Sequence, residues 1–230
     1  MEWKPNFSKG LPENPVAVVQ IGSEESILIV QISAMSAFPQ TLLDFLASPH
    51  VFKAGVGIQG DCKKLWKDYG VSINACVDLS PLARSCDPQW KGPYRNPIGL
   101  ARLTEMYLDR RLPKGRVQRS DWSRALSSLQ LEYAANDAIS ALAIYYRLVN
   151  RLNVMDPIPD TECFTFDAAE GTMRVRGDPS GRPWFPFDAQ YDPGPPPPPR
   201  EHTSTSAREG AVGAAAGKGK ATEKDGRRVK

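Results

Sequence analysis

The chain has 230 residues, with 29 lysines and arginines against 26 aspartates and glutamates and a formal net charge of +3. That length fits one large domain, or one domain with tails, and the charge excludes a histone-like protein while leaving room for a nucleic-acid binder with a local basic patch. Four dispersed cysteines (Cys62, Cys76, Cys86, Cys163) without a C-x-x-C, and two histidines (His50, His202), exclude a disulfide-dense secreted scaffold and a zinc finger. Any metal has to be held by carboxylates, which favours Mg²⁺ or Mn²⁺.

The N-terminus, Met1-Glu2-Trp3-Lys4-Pro5, carries no apolar leader, and the apolar runs near Val16–Ile21 and Ile27–Ile32 are strand-sized. The expectation is an intracellular protein without membrane contact, nuclear or cytoplasmic, with the nucleus preferred. Val16–Ile21 and Ser26–Ile32 are β-rich and separated by Gly-Ser-Glu-Glu, which predicts a hairpin. Gln40–Leu46 reads as a helix with Leu42, Leu43 and Leu46 on one face. Val51–Val56 is a predicted third strand, followed by a helix from Asp61. Ala75–Leu79 is a predicted fourth strand, and Ile98–Tyr107 and Leu129–Leu152 are predicted helices, the last with Leu131, Ala134, Ala138, Leu142 and Tyr145 at helical spacing. Strands interleaved with helices predict an α/β fold whose sheet is covered on both faces. The opening hairpin makes that sheet mixed.

Residues 153–190 are rich in Pro, Asp and Gly and are expected to be an irregular extension that packs Trp184, Phe185 and Phe187 loosely on the domain or not at all, with a short partner-binding motif as the other reading. Residues 191–230 hold six prolines, six glycines and one aromatic residue, too little apolar surface to offset ordering entropy, and are expected to be disordered. Their eight basic and five acidic residues account for the whole net charge. The proline run Pro195–Pro199 favours an extended conformation and is a candidate surface for a protein partner.

Gly55-Val-Gly57-Ile-Gln-Gly60 is a literal G-x-G-x-x-G between a strand and a helix, and Asp78 ends the next strand. This reads as a dinucleotide fingerprint, yet Asp61 at the helix start would repel the pyrophosphate. Asp61 also suits an N-cap. Tyr133 and Asp137 stand one helical turn apart on the same face, beside Ala134, Ala135 and Ala138. An aspartate there is costly unless paired or bound to a cation; a solvent-exposed helix shoulder is the other reading. Residues 102–124 hold seven basic and three acidic side chains. Lys114, Arg116 and Arg119 fall in a loop that is either a phosphate-contacting surface or a solvated one.

Ala54-Gly-Val-Gly-Ile-Gln-Gly-Asp61, Ser120-Asp-Trp122-Ser and Gln130-Leu-Glu-Tyr133-Ala-Ala-Asn-Asp137-Ala, in this order and spacing, resemble the Werner-type 3′–5′ exonuclease domain and, more broadly, ribonuclease D and the proofreading exonucleases. Glu2-Trp3 resembles the end of that family's first motif, Asp-x-Glu. The resemblance covers about residues 1–150 and implies an RNase H-like three-layer fold over 1–152. It also implies two Mg²⁺ or Mn²⁺ ions held by acids and cleavage of phosphodiester bonds from the 3′ end of DNA or RNA. Glu2, Asp61 and Asp137 match three metal-binding acids. Tyr133 matches the tyrosine that orients or helps deprotonate the attacking water. Lys63 stands where the family often has tryptophan and is expected to contact phosphate.

The family's first aspartate falls two residues ahead of Glu2, before Met1. The strand that carries it, central in the order 3-2-1-4-5, is absent from the sequence as well. Its loss is expected to leave ladder groups unpaired and a trench in the core, with low stability and weak activity at most. The intact Asp61, Tyr133 and Asp137 favour a true start further upstream, or a fragment of a longer protein, over an inactive remnant. Two other readings stand beside the exonuclease: a non-catalytic nucleic-acid-binding or interaction protein that keeps the fold, and a dinucleotide enzyme.

Overall fold

The computed structural model describes residues 1–186 except Lys9, Lys91, Tyr94, Arg95 and Lys114, together with Gly194. The expected disordered tail and proline run, Phe187 and Lys114 therefore lie outside the described residues.

β1 (Val19–Gly22) and β2 (Ile27–Val30) form the expected antiparallel hairpin, with Val19 opposite Val30 and Gly22 opposite Ile27. α1 (Gln40–Ala47) starts after Pro39 and buries Leu42 and Leu46. β3 (Lys53–Gly55) lies parallel to β4 (Ile73–Asp78). Between them α2 spans Ile58–Tyr69, opened by Gly57 at φ 66° and closed by Gly70 at φ 67°. Only glycine takes that left-handed geometry freely. α2 thus begins three residues before Asp61, and the N-cap reading of Asp61 is corrected: its carboxylate lies inside the first turns, where it caps nothing. α4 (Leu100–Leu108) and α5 (Ser128–Leu152) follow. α5 opens on a capping box in which Ser127 and Gln130 satisfy each other's backbone.

Three elements escaped the sequence reading. α3 (Leu79–Cys86) contains Pro81, which reads as a breaker. It falls in the first turn, where its missing N–H has no intrahelical acceptor to lose. The second correction concerns 153–190. β5 (Thr165–Ala169) and β6 (Thr172–Val175) form a hairpin, and β5 pairs antiparallel with β4. Their turn is Glu170-Gly171, both at positive φ, the geometry that matches strand twist in two-residue hairpins. Phe166 and Trp184 are buried, with ring centroids 4.5 Å apart. Phe185 stays exposed.

Successive residues of β4 reach opposite cores, as strand geometry requires. Cys76 packs with Leu65, Leu46 and Phe166 under α1 and α2; Val77 packs with Leu82, Leu103 and Leu148 under α3, α4 and α5. The result is the expected three-layer α/β arrangement, with one interruption. Strand pairing gives two sheets, β1-β2 and β3-β4-β5-β6, and among the described residues no strand joins β1 to β3. A trench of about 820 Å³ lies between them, lined by Val19–Gly22, Lys53–Gly55 and the α5 residues Ala138, Ala141 and Tyr145. α5 packs against β1, β2 and β3 and so holds the two sheets together. At Gly22 a Cβ would come within 3.3 Å of the Ala138 carbonyl oxygen, so glycine lets α5 approach this closely.

Candidate active site

Glu2 is fixed through its backbone. Its N–H donates to the Val18 carbonyl at 2.9 Å and its carbonyl accepts from Val18 at 3.1 Å, which leaves the side chain 8 % exposed at one end of the trench. Asp61 reaches the same end from α2, half-buried, with the Met1 ammonium 3.9 Å from its carboxylate. Asp137 enters from α5, and Tyr133 stands one turn earlier on the same helix face, its hydroxyl favouring the Asp137 anion.

Tyr133 is held from behind by Trp122, whose ring centroid is 6.0 Å away at a 55° tilt. Trp122 is fully buried against Ala17, Val18 and Ala134. The loop bearing it is tied down twice. Gln130 donates to the Ser120 hydroxyl at 3.0 Å and the Asp121 carbonyl at 3.1 Å, and Lys4 pairs with Asp121 at 2.8 Å. Sequence reasoning quoted Trp122 within a motif but gave it no role. Its signal was a tryptophan in an otherwise polar loop just before the tyrosine helix.

The three carboxylates share one electrostatic neighbourhood. Burial pushes Glu2 up to about 7, with the charges of Asp137 and Asp61 adding to the rise and the Met1 ammonium and Gln20 opposing it. Burial also raises Asp61, against the pull of the Met1 ammonium. It raises Asp137 too, against the Tyr133 hydrogen bond and the same ammonium. Burial and the Asp137 charge hold the Tyr133 phenol far above its ordinary value, so it is neutral and able to donate. Anions raised in this way gain from a cation placed among them, and the chemistry of the donor set, all carboxylate oxygen, suits Mg²⁺ or Mn²⁺. The ligand set is open, however: among the described residues no three acids, histidines or cysteines stand close enough to cage an ion.

These shifts fix a pH dependence. Between its ordinary 4.5 and about 7, Glu2 holds more proton in the folded than in the unfolded chain. Folding stability therefore falls as pH rises through that window. Melting temperatures measured without divalent ions are expected to decline from pH 4.5 to 7, and Glu2→Gln should flatten the decline. An unchanged slope in the variant would move the cause elsewhere.

The remaining candidates lie apart from the acids. Lys63 is exposed on α2, and Arg116 and Arg119 are exposed on a short 3₁₀ turn that rests against α5. The dinucleotide reading is overturned. Asp78 is buried and accepts from the Gly57 amide at 3.2 Å, the Gln59 side chain at 3.2 Å and the Ser80 amide at 3.0 Å. The carboxylate that would have met a ribose is occupied by the turn itself, and so is a donor that would have met the phosphates.

Comparison with known proteins agrees with the motifs. The family described as 3′–5′ exonuclease matches residues 1–153. A 3′–5′ exonuclease of Arabidopsis thaliana is 36 % identical over 165 residues, covering 70 % of this chain and 52 % of the relative. The mouse bifunctional 3′–5′ exonuclease/ATP-dependent helicase WRN is 36 % identical over 156 residues, 65 % of this chain and 10 % of that protein. The chain thus spans about half of the first relative and a small part of the second. Escherichia coli RNase D shares the fold, with a TM-score of 0.53 at 24 % identity over 62 % of this chain and 36 % of that one. By its motifs, its fold and the match over two thirds of its length, the chain belongs to the 3′–5′ exonuclease family.

Proposed function

We propose that this chain is the nuclease unit of a metal-dependent 3′–5′ exonuclease that hydrolyses phosphodiester bonds from the 3′ end of DNA or RNA. The supporting observation is that Glu2, Asp61 and Asp137, from three distant segments, line one trench, where the charges of Asp61 and Asp137 bear on Glu2 and the neutral Tyr133 phenol stands one turn from Asp137. In this reading the three carboxylates hold the cations, two in number. When bound, the cations supply Lewis acidity at the phosphoryl oxygens. Tyr133 orients, since its raised phenol is a poor base; its hydroxyl fixes the rotamer of Asp137 and can donate to a water or phosphate oxygen. Trp122 keeps Tyr133 in place.

We extend the catalytic domain of this proposal beyond 1–152 to include β5 and β6, because β5 completes the ladder of β4. Lys63, Lys114, Arg116 and Arg119 are proposed contacts to the nucleic-acid backbone. Removing Arg116 or Arg119 is expected to weaken binding to all sequences alike and to lower the slope of log affinity against log salt by about 1 each. Filter binding of single-stranded oligonucleotides across a salt series measures this. An unchanged slope removes that residue from the interface. A nuclear or cytoplasmic location, the nucleus preferred, and a protein partner on Pro195–Pro199 belong to the same proposal.

A second reading, binding without cleavage, draws on the open ligand set and on the Met1 ammonium among the acids. The deciding assay uses 3′- and 5′-labelled single-stranded and duplex oligonucleotides with Mg²⁺, Mn²⁺ or EDTA. It compares this chain with a form extended upstream to place an aspartate two residues before Glu2. Stepwise, metal-dependent shortening by the extended form, with weak or no shortening by this chain, supports the exonuclease. Binding by both forms with cleavage by neither supports the second reading.

A further inference from the structure

A second concavity lies apart from the trench. A groove of about 660 Å³ runs between the C-terminal end of α4, the turn that follows it and α5. Its apolar lining is aliphatic: Met106, Leu108, Leu112, Ile139 and Ala143. Met106 and Ile139 are 44 % and 50 % exposed, although each belongs to a helix that has a core to face. The charged lining is basic, with Arg110, Arg111 and Arg147 against the single acid Asp109 among the described residues. Arg111 reaches Glu105 at 3.6 Å with its side chain 90 % exposed, too open a pair to neutralise it. Arg110 and Arg147 have no ion-pair partner among the described residues. At about 100° per residue, Ile139 and Ala143 lie about 160° and 120° round α5 from Asp137. An occupant of the groove therefore need not touch the three carboxylates.

We propose that this groove is the docking site for a short acidic amphipathic helix of another protein. The sign of the charge follows from the three arginines, which the rest of the described chain leaves uncompensated. The conformation follows from the walls. Two of them are helices whose backbone groups bond within themselves, so an extended peptide finds no ladder to join. A helix satisfies its own backbone and needs only apolar anchors at helical spacing. The α5 wall runs from Asn136 to Arg147, about 16–17 Å at 1.5 Å per residue, the length of three turns. Nucleic acid suits the groove less well, because bases take aromatic faces to stack on. The one aromatic side chain of the described lining, Tyr107, is half-buried with its hydroxyl donating to Asp87 at 2.8 Å. Residues 191–230 of the chain itself carry eight basic and five acidic side chains and are repelled. A second copy docked through the same face sets arginine against arginine.

The test titrates the full chain, in EDTA, into a fluorescently labelled three-turn peptide with leucines at helical spacing and glutamates on either side, and follows anisotropy. Saturable binding that weakens with salt is expected. Ile139→Glu should weaken it by at least about tenfold, and Arg147→Glu by about fivefold. Both side chains are exposed, so both variants should fold, and melting curves check this. Ile139→Leu and Arg147→Lys, which keep the apolar contact and the charge, should bind within about twofold of the parent. No binding up to millimolar concentration, equal binding of a scrambled peptide of the same composition, or unchanged binding by either glutamate variant overturns the groove. Displacement by a single-stranded oligonucleotide whose own binding falls equally in Ile139→Glu overturns the protein occupant in favour of nucleic acid.

Discussion

In the upstream-extended form, Asp137→Asn is expected to lower metal-dependent 3′ shortening by about a thousandfold while leaving the fold intact. Asparagine keeps the shape of the side chain and can still accept from the Tyr133 hydroxyl, while Trp122 keeps the tyrosine oriented. What disappears is one negative charge among three. Charge stabilisation by a held cation is worth several kcal/mol at a phosphoryl centre, and each 1.36 kcal/mol is tenfold in rate. The burial that raises Asp137 shows that its anion is unfavourable in the folded chain, so the neutral amide should melt at the same temperature or slightly higher. Single-turnover rates on a 5′-labelled oligonucleotide in Mn²⁺, with melting curves beside them, read both effects. Activity within tenfold of the parent would remove Asp137 from the metal-binding set.

Trp122→Ala is expected to be the most damaging change to stability. Its side chain is fully buried and packs on Ala17, Val18, Ala134 and Tyr133. Truncating a buried tryptophan costs about 3–5 kcal/mol, which for a protein of this size is a fall of about 6–20 °C in melting temperature. Trp122→Phe should recover most of that. The substitution also frees Tyr133, so turnover should fall beyond what unfolding explains at temperatures where the variant is still folded. A stable variant with normal turnover would leave Tyr133 supported by α5 alone.

Much of the fold is legible in the sequence because its signals are local. The β1–β2 hairpin announces itself by β-branched runs around a polar turn, and α5 by a long apolar stripe behind a capping box. Boundaries drift where the signal is conformational: Gly57 starts α2 through its left-handed φ, which no pattern of apolar residues reveals. β5 and β6 were hidden for a different reason. Thr165-Phe-Asp-Ala-Ala alternates weakly, and its partner β4 lies more than 90 residues earlier, as the Ala75–Asp167 hydrogen bond shows. At the site, Asp61, Tyr133 and Asp137 were readable from motifs, because each motif is short and contiguous. The pressure of Asp61 and Asp137 on Glu2 was not, nor was the Met1 ammonium beside Asp61, because both depend on which distant segments the fold brings together.

The hairpin that pairs with β4 also sets a schedule. A chain leaving the ribosome at about 5–20 residues per second exposes β4 well before β5 exists. Over the more than 90 residues between them, that interval is about 5–20 s. Throughout it the free edge of β4, ending in the apolar Ala-Cys-Val run, has no native neighbour. A contact this remote along the chain also slows folding once synthesis ends. During that interval the newborn chain carries an unpaired strand edge, the kind of template on which chains join one another.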